Sequence, residues 1–222
     1  MSVSIHRLRR PARANESVGE PLSSSERALM MASAEQKLAE LFEVLQIDHR
    51  NDDHTRETPR RVAKMFIEEM MQGRYSDPPA LTEFENTTAY DELIVTGPIE
   101  VRSNCAHHLL PIYGEAFIGV LPARDGRIIG LSKYDRVVHH FAARLQVQEE
   151  LVRQIRDFIA ERTAPRGLAV RICAVHMCKT HRGVRGSHRS RMVTTSYFGE
   201  LETNEALKDQ FLRECLALQP LS

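Results

Sequence analysis

Two short motifs with metal-ligand side chains lie far apart in this chain, and a fold that uses both must bring them together. The first motif contains Cys105, His107 and His108, and the second contains His176 and Cys178. A thiolate and an imidazole three residues apart, joined by a distant thiolate, suit zinc and leave its fourth position open. Structural zinc sites normally have four ligands at short spacings, so this pattern predicts a catalytic metal. The alternative is four unrelated free cysteines, a residue type that is often buried.

The composition is that of an ordinary globular protein. The chain has 222 residues, of which 42% are hydrophobic and 27% are charged, which indicates one large domain or one domain with an appendage. Thirty basic residues balance thirty acidic residues, so the net charge gives no reason to expect a nucleic-acid or membrane partner. The segment 166–191 is the local exception, because it has seven Lys or Arg residues and no Asp or Glu. It predicts an anion-binding surface.

The cysteine pattern also indicates a compartment. Four irregularly spaced cysteines are too few for a disulfide scaffold in a chain of this size. Metal-binding thiols require reducing conditions, so the predicted location is the cytoplasm. The basic run at residues 6–10 has no apolar segment behind it, and it therefore resembles neither a signal peptide nor a membrane span.

The chain is predicted to have three parts. Residues 1–22 are polar and aperiodic and predict a disordered tail. Residues 23–75 predict an N-terminal helical region, with one helix over 24–47 and a second that begins at Thr58 and Pro59 and ends at Gly73. Residues 76–222 predict a catalytic domain that ends in a helix.

In the predicted catalytic domain, short apolar runs typical of strands alternate with segments that have the periodicity of helices. A helical region begins at Ser132, which with Asp135 has the pattern of a capping box. The order is strand, strand, two helices, strand, strand, over the segments 99–102, 114–121, 132–162, 168–178 and 193–198.

Strand geometry makes a prediction about the cysteines. Side chains alternate between the faces of a strand, so His176 and Cys178 are expected on one face of the third strand and Cys173 on the other, as a core thiol. Cys215 lies on the apolar stripe of the C-terminal helix with Phe211, and is predicted to be a core residue as well.

Several motifs together resemble one family, the GTP cyclohydrolase I enzymes. The likeness extends over roughly residues 25 to 217, and the motifs occur in the family's order and at close to its spacing. The motifs that carry it are residues 57–65, 105–108, 129–133, 146–149, and 174–178 followed by 182–184.

The resemblance implies an α+β tunnelling fold. This fold is a four-stranded antiparallel sheet with two helices between its second and third strands, here preceded by an N-terminal helical region. It also implies a homo-oligomer, in the family a decamer of two stacked pentamers, with active sites at subunit boundaries. An open sheet of this kind exposes edge strands unless a neighbouring subunit covers them.

The resemblance further implies the zinc-dependent hydrolysis of GTP to 7,8-dihydroneopterin triphosphate and formate, the first step of pterin and folate biosynthesis. Zinc bound by Cys105, His108 and Cys178 is expected to lower the pKa of its water from about 15.7 toward 7. His107 and His176 are left for proton transfer at purine N7 and the ribose ring oxygen, because the pKa of imidazole is near 6.5.

The remaining site residues follow from the same resemblance. Glu149 corresponds to the guanine anchor, with Gln148 beside it, since a carboxylate can accept from both N1 and the exocyclic amine. The alternative for Glu149 is a helix-start acid that complements the helix dipole, as expected for Glu150. Ser132 corresponds to a catalytic residue near the phosphates and ribose, and the expected triphosphate contacts are Lys133, Arg136, Arg182 and Arg61.

Two departures from the family pattern keep other functions open. Ala106 stands where the family usually has Glu, and the segment 186–192 differs at the approach to the last strand. The chain could therefore be a variant paralogue that stops at a ring-opened product or uses another purine nucleotide. An alternative from another class is a zinc-stabilised nucleic-acid-binding module that uses the basic segment 166–191.

Overall fold

The computed structural model describes residues 12–218. The chain forms two compact units that meet in sequence between Asp77 and Pro78. Each unit has its own buried apolar cluster. The three-part division at residues 22 and 75 stays a prediction.

The N-terminal unit is helical. Its longest helix, α1, begins with a capping box in which the Ser23 hydroxyl accepts from the Glu26 amide, and the Glu26 carboxylate accepts from the Ser23 amide. Its segments are α1 (Ser24–Val44), α2 (Thr58–Lys64), a π-helical segment (Met65–Met70) and α3 (Gln72–Tyr75). Gly73 therefore lies within α3 and does not end the second helix as predicted.

The described part of the predicted tail is packed against this unit. Residues 1–11 of the tail lie outside the described residues. Within residues 12–22, the Val18 amide donates to the Arg74 carbonyl and the Leu22 amide to the Tyr75 carbonyl, both at 3.0 Å. Leu22 is buried in one cluster with Ile67 and Tyr75. Val18 and Leu22, two apolar residues in an otherwise polar segment, thus dock residues 12–22 onto the helices. Disorder of the tail as a whole stays a prediction.

The C-terminal unit is an α+β structure around a mixed sheet. The main sheet has the strand order β5-β2-β3-β6-β7, and β1 pairs with β4 in a separate two-stranded sheet. Neighbours among β2, β3, β6 and β7 are antiparallel, whereas β5 is parallel to β2. The elements are β1 (Glu83–Glu85), β2 (Ile94–Cys105), β3 (Pro111–Leu121), β4 (Arg127–Ile129), α4 (Leu131–Ala142), β5 (Leu145–Gln146), α5 (Gln148–Thr163), β6 (Gly167–His176), α6 (Met177–Thr180), β7 (Met192–Gly199), α7 (Glu200–Thr203) and α8 (Glu205–Ala217).

The predicted order of four strands with two helices in the middle is present, and a short fifth strand is added to it. β5 has only two residues, whose carbonyl and amide groups extend the sheet beside Asn104 and Cys105. It separates α4 from α5, the two helices that the sequence predicts within 132–162. A run of two residues has too little periodicity to be recognised in the sequence.

Both faces of the main sheet are covered in part. On one face, strand residues such as Ile118 and Ile172 pack with Val138 of α4 and Ile155 of α5 in the larger core cluster. On the other face, Phe117 packs with Leu201, Phe211 and Cys215. The predicted core positions of Cys173 and Cys215 are confirmed, because both side chains are buried.

The described helices do not include a membrane span. Among residues 12–218, every helix is too short or too polar to cross a bilayer.

Candidate metal centre and active site

Three side chains converge at one end of the main sheet. Cys105 is the last residue of β2, His108 lies in the turn that follows, and Cys178 lies in α6 directly after β6. One ligand atom from each residue lies within 4.8 Å of the others. The structure thus brings together the ligand set predicted for the metal, although Cys178 is 70 residues from His108 and 73 residues from Cys105 in sequence.

The donor set fits a divalent zinc ion. Two sulfur atoms at 2.3 Å from a common tetrahedral zinc lie about 3.8 Å apart, which is compatible with ligand atoms that all lie within 4.8 Å of one another. Cys105 is buried, whereas His108 is exposed and Cys178 is half-buried. A site with one buried side and one exposed side can hold an ion and still admit a small molecule.

The surroundings of Cys178 disfavour its ionisation. Partial burial, then the hydrogen bond and charge interaction with Cys105, raise the pKa of the Cys178 thiol above its ordinary value. Two adjacent thiolates need a nearby positive charge to coexist at neutral pH. A divalent cation between them supplies that charge, which is why such pairs are typical of metal sites.

Cys178 lies outside the strand on which the sequence predicts it. The third predicted strand, 168–178, ends at His176, and Cys178 lies in a helical turn. The last register pair of β6 with β3 is His176 with Ile112, and the next residue of β3 is Pro111, which has no amide hydrogen to continue the ladder. The argument that His176 and Cys178 share a strand face is therefore wrong, although both line the same cavity.

Arg182 contacts a metal-ligand histidine directly. Its Nη1 donates to Nε2 of His108 at 2.7 Å. A guanidinium only donates, so Nε2 of His108 accepts this hydrogen bond. The contact also brings Arg182, one of the predicted triphosphate contacts, to the cluster of Cys105, His108 and Cys178, the metal group.

His107 lies beside the same thiol. Its Nδ1 is 3.6 Å from Sγ of Cys105, and its ring is edge-on to that of His108, with centroids 6.4 Å apart. The side chain is exposed. This position is within reach of a molecule bound at the metal group.

His176 is anchored by Gln148. Nε2 of His176 is 2.7 Å from Oε1 of Gln148. Burial lowers the pKa of His176 below its ordinary value of 6.5, while Glu149 opposes and Lys179 adds to the effect. Gln148 itself is only 1% exposed, and the substrate contact predicted for it stays a prediction.

A cavity of about 360 Å³ opens beside His176 and Cys178. Lys179 and Arg191 contribute positive charge to its wall, and Lys179 Nζ donates to Ser190 at 2.7 Å. Ser190, Arg191 and Met192 belong to the segment that departs from the family pattern, so this departure forms part of the cavity surface. The sequence alone does not single out Lys179 and Arg191 as residues of a cavity wall.

Three further predicted residues lie at the start of α4. Ser132, Lys133 and Arg136 are in its first two turns, and Ser132 and Arg136 are exposed on one helix face. The predicted capping box is wrong, because the helix begins at Leu131 with Gly130 as its N-cap and without a side-chain cap. The Lys133 amide donates to the Gly130 carbonyl at 2.8 Å, whereas no side chain caps the helix start.

Glu149 and Arg61 occupy exposed positions in different units. Glu149 lies in the first turn of α5 and lines a second cavity, of about 440 Å³, with Arg153 and Thr195. Arg61 lies on α2 of the N-terminal unit. Its predicted part in triphosphate binding stays a prediction.

The comparisons with known proteins agree with this geometry. The family model described as GTP cyclohydrolase I matches residues 34–216. A GTP cyclohydrolase 1 of Maricaulis maris is 42% identical over 168 residues, which cover 73% of this chain and 80% of the relative. One from Edwardsiella ictaluri is 38% identical over 196 residues, which cover 88% of this chain and 86% of the relative.

A solved structure gives a weaker likeness. The apo crystal structure of an archaeosine synthase QueF-Like has a TM-score of 0.37 and 13% identity, and the match covers 55% of this chain and 97% of that chain.

The family match covers most of the chain and contains both metal-ligand motifs. The chain belongs to the GTP cyclohydrolase I family of enzymes, as its motifs predict.

Proposed function

We propose that this chain is a zinc-dependent GTP cyclohydrolase I that converts GTP to 7,8-dihydroneopterin triphosphate and formate. The observation that carries the proposal is the convergence of Cys105, His108 and Cys178 within 4.8 Å, in a chain of this enzyme family. The reaction would be the first step of pterin and folate biosynthesis in the cytoplasm.

The proposed assembly is a homo-oligomeric tunnelling fold, with a decamer as the expected form. β7 lies at the edge of the main sheet and exposes Val193 and Phe198. In the N-terminal unit, α1 has no buried residue and exposes Leu41 and Val44. Apolar side chains on a strand edge and along a helix are the surfaces that another copy of the chain can cover.

The proposed metal role follows from the ligand set. Cys105 and Cys178 would provide the negative charge that holds zinc, and His108 would provide a nitrogen ligand. A zinc ion held in this way, with one open position, would supply the hydroxide needed at C8 of the purine.

GTP is proposed to bind across the helix starts of the C-terminal unit. Glu149 accepts from N1 and the exocyclic amine of guanine, a donor pair that adenine lacks. Lys133, Arg136 and Arg182 bind the triphosphate, with Arg61 as a further proposed contact. Ser132 lies beside Lys133, where the first-turn amides of α4 favour an anion.

His107 and His176 are the proposed proton carriers. Hydrolysis requires a proton at purine N7 when the ring opens and another at the ribose ring oxygen when the sugar rearranges. His107 lies beside Cys105, and His176 lines the cavity next to Cys178, so the two imidazoles adjoin the metal group.

The direct test is product analysis with the zinc-loaded protein. After incubation with GTP, we expect equal amounts of formate and of a pterin that becomes fluorescent on oxidation. A protein with one zinc per chain and neither product contradicts the proposal.

Ala106 supports a second candidate function, a variant that releases a ring-opened nucleotide or uses another purine nucleotide. Ala106 follows the ligand Cys105, and its amide donates to the Gln146 carbonyl at 3.0 Å. Its methyl group cannot hydrogen-bond to a neighbouring imidazole or water as a carboxylate can.

We expect Ala106→Glu to raise kcat for GTP by about tenfold, because loss of a polar group beside metal ligands commonly costs about 10- to 100-fold. Ala106→Gln, which restores volume and polarity without charge, is the matched control. Mass analysis of the products identifies any ring-opened species. An unchanged kcat together with a ring-opened product as the end point favours the variant function.

A further inference from the structure

Gln148, the first residue of α5, is a buried amide that joins three elements. Its Nε2 lies 3.2 Å from the Ile172 carbonyl of β6, 3.1 Å from the Met192 carbonyl of β7 and 3.0 Å from the Thr194 hydroxyl. Its Oε1 lies 2.7 Å from Nε2 of His176. Both polar atoms of a side chain that is 1% exposed are therefore used within the protein.

These contacts determine the orientation of the amide. The carbonyl oxygens of Ile172 and Met192 can only accept hydrogen bonds, so the atom of Gln148 that faces them must be the NH₂ group. The opposite orientation would place two pairs of acceptors in contact inside the protein, which is costly. The side-chain oxygen must consequently face His176.

The amide orientation in turn determines the tautomer of His176. Because Oε1 of Gln148 is an acceptor only, Nε2 of His176 must carry the proton that it receives. The lone pair of the neutral ring is then on Nδ1. Which ring nitrogen is protonated in a histidine is generally determined by the hydrogen bond that the other nitrogen makes.

We propose that Gln148 is a positioning residue for proton transfer rather than a contact for guanine. Its side chain holds the Nε2 proton of His176, and this leaves Nδ1 as the atom that exchanges a proton with the substrate. The inference rests on the proposed function, since it specifies which atom of His176 takes part in that reaction.

Two neighbouring residues at the start of α5, Gln148 and Glu149, thus have separate proposed roles. Gln148 faces inward to β6 and β7, whereas the next residue, Glu149, is exposed at the second cavity. Neighbouring residues of a helix are separated by about 100° around its axis, so one turn can position a proton carrier and a base-binding carboxylate independently. Replacement of Gln148 should therefore affect turnover without affecting the recognition of guanine.

The kinetic test is a double-mutant cycle with Gln148→Met and His176→Ala. We expect Gln148→Met alone to lower kcat by about 10- to 100-fold, with KM for GTP within about twofold of the original value. In the His176→Ala background, the same substitution should change kcat by less than about twofold, because its effect depends on the missing ring. A full additional loss in that background, or a rise in KM with weaker discrimination against ITP, overturns the positioning role.

A rescue variant separates positioning from a general effect on the fold. Gln148→Glu keeps an acceptor for Nε2 of His176 but loses the donors to β6 and β7. We expect it to recover part of the kcat lost in Gln148→Met while it remains less stable to heat than the original protein. A kcat no higher than that of Gln148→Met contradicts the role.

The tautomer can be measured without any turnover. In zinc-loaded protein labelled with ¹⁵N-histidine, we expect His176, assigned by its loss in His176→Ala, to show the Nε2-protonated pattern, and Gln148→Met to lose that preference. Gln146→Met is the matched control, since Gln146 is equally buried and bonds to Phe141 and Gln154, and it should leave the pattern unchanged. An Nδ1-protonated His176 contradicts the positioning role alone, whereas the expected pattern in a protein that forms no pterin contradicts the proposed function alone.

Discussion

The Cys178→Ser variant is expected to lose both its zinc and its turnover of GTP. Serine is nearly isosteric, but its hydroxyl is not deprotonated at neutral pH and is a poor ligand for zinc. Because Cys178 is one of three converging ligands, we expect less than about 0.1 zinc per chain. The fall in kcat should exceed the roughly 100-fold loss that is typical when an outer partner of a metal ligand is removed. Metal analysis of the purified protein, together with the pterin assay, measures both effects.

Cys173→Ser is the matched control for this experiment. Cys173 is a buried free thiol on β6, five residues from Cys178 and absent from the converging group. Its replacement should lower thermal stability, because a hydroxyl is buried in place of a thiol, but the zinc content should stay at one per chain. A zinc content of one per chain in both variants would show that Cys178 is not a ligand.

The Glu149→Gln variant is expected to lower kcat/KM for GTP by about 100-fold. The amide keeps one acceptor, but it presents a donor to the donor pair of guanine and removes the negative charge. Loss of one partner of a charged hydrogen-bonded pair commonly costs about 2 to 5 kcal/mol, and the exposure of Glu149 favours the lower half of that range. The preference for GTP over ITP, which lacks the exocyclic amine, should shrink in the same variant.

Glu150→Gln tests whether the loss of kcat/KM is specific to Glu149 or follows from the removal of any carboxylate at the start of α5. Both carboxylates are exposed in the first turn of α5 and interact similarly with the helix dipole. We expect Glu150→Gln to change kcat/KM by less than about threefold. Similar losses in the two variants would mean that Glu149 is only a helix-start acid, the alternative that its sequence context leaves open.

Much of the sheet could be predicted because its strands are long enough to show a pattern. β3 is a largely apolar run and β7 is rich in β-branched and aromatic residues, and the structure confirms strands at both places. β5 could not be predicted, since a strand of two residues is defined by its partner and not by its own side chains. The end of β6 was also missed. Met177 and Cys178 continue the apolar pattern, but the strand ends where Pro111 in its neighbour removes the next amide donor.

The convergence of Cys105, His108 and Cys178 could be predicted because the chemistry of a metal site is visible in the residue types. The hydrogen-bond partners of Gln148 and Arg182 could not be predicted from the sequence. In the sequence, Gln148 stands beside Glu149 and is easily taken as part of the same guanine site. Only the packing of α5 against β6 and β7 turns its amide inward. The hydrogen bond between Arg182 and His108 likewise joins residues 74 positions apart, a pairing with no local signal.

The placement of the metal ligands on distant strands has a consequence for biosynthesis. Cys105 ends β2 and Cys178 follows β6, and these strands are joined through β3, so the ligand group exists only after three strands have been brought into register. A nascent chain that has emerged from the ribosome only as far as β3 has one thiol and cannot retain the ion. Metal uptake would therefore be a late event that reports successful assembly of the sheet, and chelators should trap newly made chains more effectively than mature ones.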